Sequence, residues 1–282
     1  MQKCFCVAAC FVGMLVFNLG VASDEQPFIV LASTTSTENS GLFDYILPEF
    51  TRDSGIQVRV VAVGTGQAIR LASSGDADVL LVHHRPSEDA FVAEGLGVRR
   101  YPVMHNDFVL VGPATDPASV IGETDILQAM QAIARSEALF ASRGDDSGTH
   151  KKELSLWAEA GVAPAADSGT WYRETGSGMG ATLNTAVAMG AYVLSDRATW
   201  ASFGNKGELE IVLEGDARLF NPYGVIAVNP KLHPAVNAIG AELFIEWLTS
   251  AETQLLISQF GIDQFGQPLF VSDSAAWKAT MQ

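Results

Sequence analysis

The chain has 282 residues, 48% of them hydrophobic, enough apolar material to form the core of one large domain or of two modest lobes. Its 32 acidic side chains outnumber 17 basic ones, giving a formal net charge of −15, and no Lys/Arg cluster offsets this, which argues against nucleic acid as a partner. No segment after residue 23 is long and apolar enough to suggest a membrane span.

Residues 1–23 read as a cleavable secretory signal. Lys3 supplies a short positive region, Cys4 to Leu19 is almost wholly apolar, and Gly20-Val-Ala-Ser23 offers small residues for cleavage before Asp24. Val7-Ala-Ala-Cys10 has the look of a lipoprotein box, but it would leave an apolar core of only a few residues, so simple cleavage is the preferred reading. All three cysteines, Cys4, Cys6 and Cys10, lie in this segment. The chain from Asp24 on therefore has no disulfide, thiolate metal site or cysteine nucleophile, which fits export to a bacterial periplasm. Loss of Lys3, the only charge in the segment, takes the formal charge from −15 to −16.

Phe28-Ile-Val-Leu-Ala32 reads as a buried strand, followed by Ser33-Thr-Thr-Ser-Thr-Glu-Asn-Ser-Gly41 and then by Leu42, Phe43, Ile46, Leu47 and Phe50 at helical spacing. Thr35 and Glu38 have the spacing of a capping box. Strand, hydroxyl-rich turn and helix start make an anion site, because the first helical amides lack internal partners and the macrodipole adds positive potential. Taken alone, such a turn is more simply a helix cap. The pattern, however, recurs. Pro48 suggests a second short turn; Ile56 to Val63 is strand-like, Gly64-Thr65-Gly66 breaks it, and Gln67 to Ser73 is helical. Asp78 to Val82 is a third buried strand, after which Ser87 is placed to cap a helix running to Ala93. His83 and His84 end that strand without the spacing of a zinc site, and all five histidines read as structural or surface groups, with this pair the open question.

Asp107 to Val111 is a strand, and Gly112 to Pro117 reads as a linker. A helix over Asp125 to Glu137 and a short strand, Ala138 to Ala141, lead to the third unit, Ser142-Arg-Gly-Asp-Asp-Ser-Gly-Thr-His-Lys-Lys-Glu153, with Asp146 or Ser147 capping a helix to about Ala160. Arg143 stands just ahead of that cap, where its planar fork reaches an anion on the helix amides. Gly176-Ser-Gly-Met-Gly180 forms the fourth turn, as well explained by close helix packing as by ligand contact. Ser195 is placed to cap a further helix, Asn221 to Gly224 reads as a turn, and Val225 to Val228 as a returning strand. Val236, Ile239, Leu243, Phe244 and Trp247 share one helical face, and a last helix runs from about Ala251 to Phe260.

Alternating strands and helices define an α/β fold, and ligands in such folds bind beyond the carboxyl ends of the strands. Two small-residue turns precede the Gly112–Pro117 linker and two follow it. This predicts two lobes, 24–112 with 225–282 and 113–224, with a small oxyanion in the cleft between facing helix N-termini. Two other readings remain. An exported serine hydrolase would use Ser147 as nucleophile and His150 as base, but no nucleophile elbow, Ser-x-x-Lys or His-Glu-x-x-His accompanies them. A phosphate or sulfate binder of the same architecture stays open through Asp145 and Asp146, since a protonated phosphate oxygen needs an acceptor.

Ala32 to Leu42, Gly64 to Ala68, Ser142 to Glu153, Glu174 to Asn184 and Asn221 to Pro230 together resemble the periplasmic binding components of ABC transporters, and within that group the tungstate-binding proteins. The resemblance spans essentially the whole chain after the signal. That family's first motif usually reads Thr-Thr-Thr-Ser; here it is Ser33-Thr34-Thr35-Ser36, which keeps the hydroxyl. The resemblance implies a monomeric, non-enzymatic binder without a cofactor, with Thr34, Ser36, Thr65, Arg143 and Thr149 lining the oxyanion site and Thr35 and Ser147 close by. It also implies capture of tungstate and delivery to a membrane permease. Molybdate has the same charge and nearly the same size, and only the resemblance favours tungstate over it. Arg85 has no place in this scheme.

Overall fold

The computed structural model describes residues 26–281; the expected signal and its cysteines lie outside them. The first sheet grows from β1 (Phe28–Thr34), which pairs in parallel with β2 (Gln57–Val63) along its whole length and with β3 (Val79–Val82) on its other side. Every residue of β3 is buried, as expected for a central strand covered on both faces. Next comes β4 (Gly97–Pro113), the longest strand described. Its first part, to Asp107, pairs antiparallel with β9 (Phe220–Val228), which in turn pairs with β3; β10 (Val271–Ser272) lies on the far edge.

From Phe108 onward, β4 changes sheets. It pairs there with β7 (Val193–Asp196) and, from Leu110, with β8 (Leu209–Leu213). The second sheet is extended by β5 (Phe140–Ser142), bridged in parallel to Tyr192 at the head of β7, and by β6 (Tyr172–Glu174), parallel to β5. The molecule is thus a two-lobed α/β protein in which β4 runs through both sheets.

Each sheet has apolar packing on both faces. In the first lobe, α2 (Leu42–Ser54), α9 (Ala238–Thr249) and α10 (Ala251–Gln259) bury Phe50, Phe244 and Ile257 with Ile29 and Leu31 on one face. On the other, α3 (Thr65–Ser74) and α4 (Arg85–Ala93) bury Ala68 and Phe91 against Leu80 and Ile226. In the second lobe, α5 (Ile126–Ser136) and α6 (Gly148–Glu159) pack Met130 and Trp157 on Phe140 and Tyr192, while α7 (Met179–Met189) and α8 (Arg197–Ser202) bring Leu183 and Trp200 to Val109 and Val193.

Several local expectations are corrected. The first helix, α1 (Thr35–Asn39), is capped by Thr34 rather than Thr35: Thr34 still has the extended ψ of β1, and its Oγ1 accepts from Thr37 N. The apolar helix is a separate one, re-aimed at Gly41, whose φ of +81° favours glycine. Pro48 sits inside α2, because the buried face of Leu42, Phe43, Ile46 and Phe50 holds the helix together past it. His84, not Ser87, caps α4, its Nδ1 accepting from Ser87 N at 3.3 Å, and Asp196, not Ser195, caps α8. Gly112 and Pro113 belong to β4, and Asn221 to Gly224 to β9. The inward face of α9 is Ala241, Phe244, Ile245 and Leu248, whereas Ile239 is 75% exposed. Gly240 sets this rotation: a Cβ there would press on Ile29 Cγ2 at 2.6 Å.

Candidate functional site

Three helices begin where parallel strands of the two sheets end. α1 follows β1, α3 follows β2 and α6 follows β5. The hydroxyls of Thr34, Ser36 and Thr37 are buried together: Thr34 Oγ1 lies 3.0 Å from Ser36 Oγ and 2.8 Å from Thr37 Oγ1. Thr35 is half-buried. Gly64 caps α3 without a side chain, leaving Thr65 fully buried at the first helical position. On the second lobe, Ser147 caps α6 through its Oγ, which accepts from His150 N at 3.1 Å, and Thr149 is buried one residue inside the helix.

The lobes meet closely here. A Cβ on Gly148 would stand 3.0 Å from Thr65 Oγ1 and 3.2 Å from His83 Cε1, and a Cβ on Gly66 would overlap the Asp146 carboxylate. Glycine at both positions lets the two helix starts approach. Arg143 lies at the end of β5 and is 3% exposed. Its Nη2 donates to Asp145 Oδ2 at 2.5 Å, and its backbone carbonyl accepts from Ser177 N and Thr175 Oγ1, so the fourth small-residue turn buttresses Arg143. Burial pulls the guanidinium below its ordinary range, and Asp145 opposes that pull.

Thr65 Oγ1, Thr149 Oγ1 and Arg143 Nε are all buried without a hydrogen-bond partner. Buried polar atoms in folded proteins are nearly always paired, and each orphan costs on the order of 1–3 kcal/mol. Three unpaired donors on facing elements, two of them at helix N-termini, form a cradle suited to a compact anion.

Residues 21–252 match the family model described as a PBP superfamily domain. The tungstate-binding protein TupA of Peptoclostridium acidaminophilum is 51% identical over 88% of this chain and 86% of its own length; that of Campylobacter jejuni is 40% identical over 86% and 90%. The chain belongs to the TupA family of that superfamily. Among solved structures, the tungstate-binding protein TupA from Desulfovibrio alaskensis G20 has a TM-score of 0.74 at 44% identity, covering 88% of this chain and 99% of that one. The tungstate ABC transporter structure from Geobacter sulfurreducens has a TM-score of 0.75 at 46% identity, with coverage of 83% and 98%.

Sequence reasoning missed His83 as a member of this site. It is 4% exposed, with Nε2 3.0 Å from Ser36 Oγ and Nδ1 2.9 Å from Asn221 Oδ1. The available signal was its place at the carboxyl end of a buried strand, level with the Thr34 turn. His84 is occupied with capping α4, and Arg85 forms an exposed ion pair with Asp89 at 2.7 Å, one turn along the same helix. Ser147 and His150 meet only through the backbone: the His150 ring accepts from Asp146 N at 3.2 Å rather than facing the Ser147 hydroxyl.

Proposed function

We propose that this protein captures tungstate, a tetrahedral dianion, between its lobes and presents it to the membrane permease of an ABC transporter. The observation that carries the reading is the set of buried, unpartnered donors at Thr65, Thr149 and Arg143. Thr34, Thr35, Ser36 and Ser147 complete the proposed contacts from the neighbouring helix starts. Tungstate is named because relatives of up to 51% identity bear that name; the donors themselves suit molybdate equally. Binding is non-covalent, without an enzymatic step or cofactor: hydroxyls and amides satisfy the anion's oxygens, and Arg143 supplies the one full positive charge.

The proposed lobes, 24–112 with 225–282 and 113–224, divide the chain within β4, a few residues beyond Phe108 where its pairing changes sheets, and within β9, which pairs throughout with strands of the first sheet. The protein acts in the periplasm as a monomer after removal of residues 1–23. Among the described residues no helix is long and apolar enough to cross a membrane, which accords with that placement.

A thermal-shift panel of tungstate, molybdate, sulfate, phosphate and vanadate tests the reading, because a ligand bound only by the folded state raises its melting temperature. Tungstate is expected to give the largest shift. A larger shift with phosphate would overturn the assignment and point to Asp145 as the acceptor for a protonated oxygen.

A further inference from the structure

Behind Ser36 lies a buried polar chain that anion capture, as described above, does not employ. The Asn221 amide nitrogen donates to Asp196 Oδ2 and Asn106 Oδ1, each at 2.8 Å. Its amide oxygen is therefore the atom facing His83, and the His83 proton resides on Nδ1. On a neutral ring, Nε2 is then a bare acceptor, and Ser36 must give it its single hydroxyl hydrogen. In that state Ser36 Oγ offers an incoming anion only lone pairs. Asp196 itself is 1% exposed, and its hydrogen-bond partners are the neutral groups of Asn106, Asn221, Tyr223 and the amides of Ala198 and Thr199.

Resting on the reading of the cleft as an oxyanion site, we propose that capture of the dianion carries one solvent proton onto His83 Nε2. The imidazolium then donates to Ser36 Oγ and releases the Ser36 hydroxyl hydrogen to the anion. His83 is thus a positioning residue for Ser36, and its new charge stands between Asp196 and the bound dianion.

The surroundings support uptake only when the anion is present. Burial holds His83 below its ordinary value; Asp196 and the Asn221 hydrogen bond pull the other way, and Arg143 adds to the depression. Tyr223, stacked on the ring at 4.8 Å, is held neutral by burial, and Phe108 lies tilted to the ring at 6.2 Å. His84, next along the chain, is pushed down to about 4, chiefly by burial, and adds no charge near neutrality. Arg143, the buried cation of the site, already shares its charge with Asp145. A dianion placed beside Ser36 therefore adds negative charge that little else offsets, and in a low-dielectric interior this favours protonation of the adjacent imidazole.

Calorimetry of tungstate binding in buffers of different ionisation enthalpy, near pH ~8 where tungstate stays a full dianion, reads the proton directly. The expected result is uptake of about one proton per tungstate, with affinity weakening about tenfold per pH unit as the medium becomes more alkaline. His83→Gln, whose amide can donate to Ser36 without titrating, should bind tungstate with a buffer-independent enthalpy. Uptake persisting in that variant, or buffer-independent binding in the wild type, overturns the proton step while leaving tungstate capture intact. Absence of any tungstate heat overturns both readings. Should the variant not fold, the ¹⁵N shifts of His83 in the wild-type protein decide: both ring nitrogens moving to imidazolium values on tungstate addition supports the step, and an unchanged Nδ1–H tautomer refutes it.

Discussion

Arg143 Nη2 donates to Asp145 Oδ2 at 2.5 Å while Arg143 Nε, also buried, donates to no protein atom. The guanidinium is held from one side by the chain that carries it and left open on the other. Asp145 is also tied to the start of α6, accepting from Ser147 N at 3.2 Å, so the pair fixes the fork relative to the helix amides. Arg143→Ala should lower tungstate affinity by about 2–4 kcal/mol, the scale for losing one partner of a buried charged contact. Arg143→Lys keeps the charge without the planar fork and should recover binding only in part. Asp145→Asn removes a negative charge beside the proposed dianion and should tighten binding. Calorimetry on the four proteins checks all three; unchanged affinity in the alanine variant would make Arg143 scaffold alone.

Thr65 and Thr149 make a sharper test of the cradle, because their hydroxyls have no protein partner to lose. Threonine to valine at either site keeps the shape and removes the orphan. The ligand-free protein should hold its stability or gain about 1 kcal/mol, while tungstate affinity falls by about 1–2 kcal/mol per site. Unfolding in urea and calorimetry of the same preparations separate the effects. A variant losing stability without losing affinity would assign that hydroxyl to the scaffold.

The parts of this protein that were legible in its sequence are local ones. β1, β2 and β5 each run into a small-residue turn and a helix, so Thr65, Ser147 and Thr149 could be placed at helix starts from neighbouring residues alone, and the first helix start only to within one residue, at Thr35 instead of Thr34. The passage between lobes was not legible. β4 carries Arg99, Arg100, Pro102, His105 and Asn106, a poor strand by composition, and it is held extended by β9 across two irregularities in register. His83 was hidden for the same reason: the atom that fixes its tautomer belongs to Asn221, 138 residues away. The face of α9 was misread because five apolar side chains at helical spacing outweighed one glycine, and the close approach at Gly240 is visible only once β1 is packed against it.

Export can be checked on the native protein without touching the fold. The apolar segment before Gly20 and the small residues to Ser23 predict a processed N-terminus near Asp24. Intact-mass and N-terminal analysis of material from its own host should show that start and no lipid. A diacylated Cys10 would instead make the protein a lipoprotein, anchored to the membrane face where its permease lies.

The stability around α6, whose start carries the proposed contacts Ser147 and Thr149, should depend on pH through Glu153. This side chain is 1% exposed and accepts from Tyr172 Oη at 2.7 Å and Trp157 Nε1 at 3.3 Å. Burial pushes its carboxyl up to about 7, against the opposing effect of those donors. A carboxyl raised in the folded state binds its proton more tightly there than in the unfolded chain. Its contribution is therefore fully present below the ordinary value of 4.5 and is lost as pH rises through about 7. Glu88, also raised to about 7 by burial, with Arg100 opposing, adds to the same trend. Asp216, held well below the carboxylate range by Arg218, acts only at much lower pH, where stability falls as it protonates. Glu153→Gln keeps an oxygen for Tyr172 and Trp157 while abolishing the charge. The variant should match the wild type near pH ~5 and exceed it by about 1–3 kcal/mol near pH ~8, the gap opening between those values. Urea unfolding of both ligand-free proteins across that range reads the gap. Two parallel curves would mean that Glu153 ionises no differently in the folded and unfolded chains.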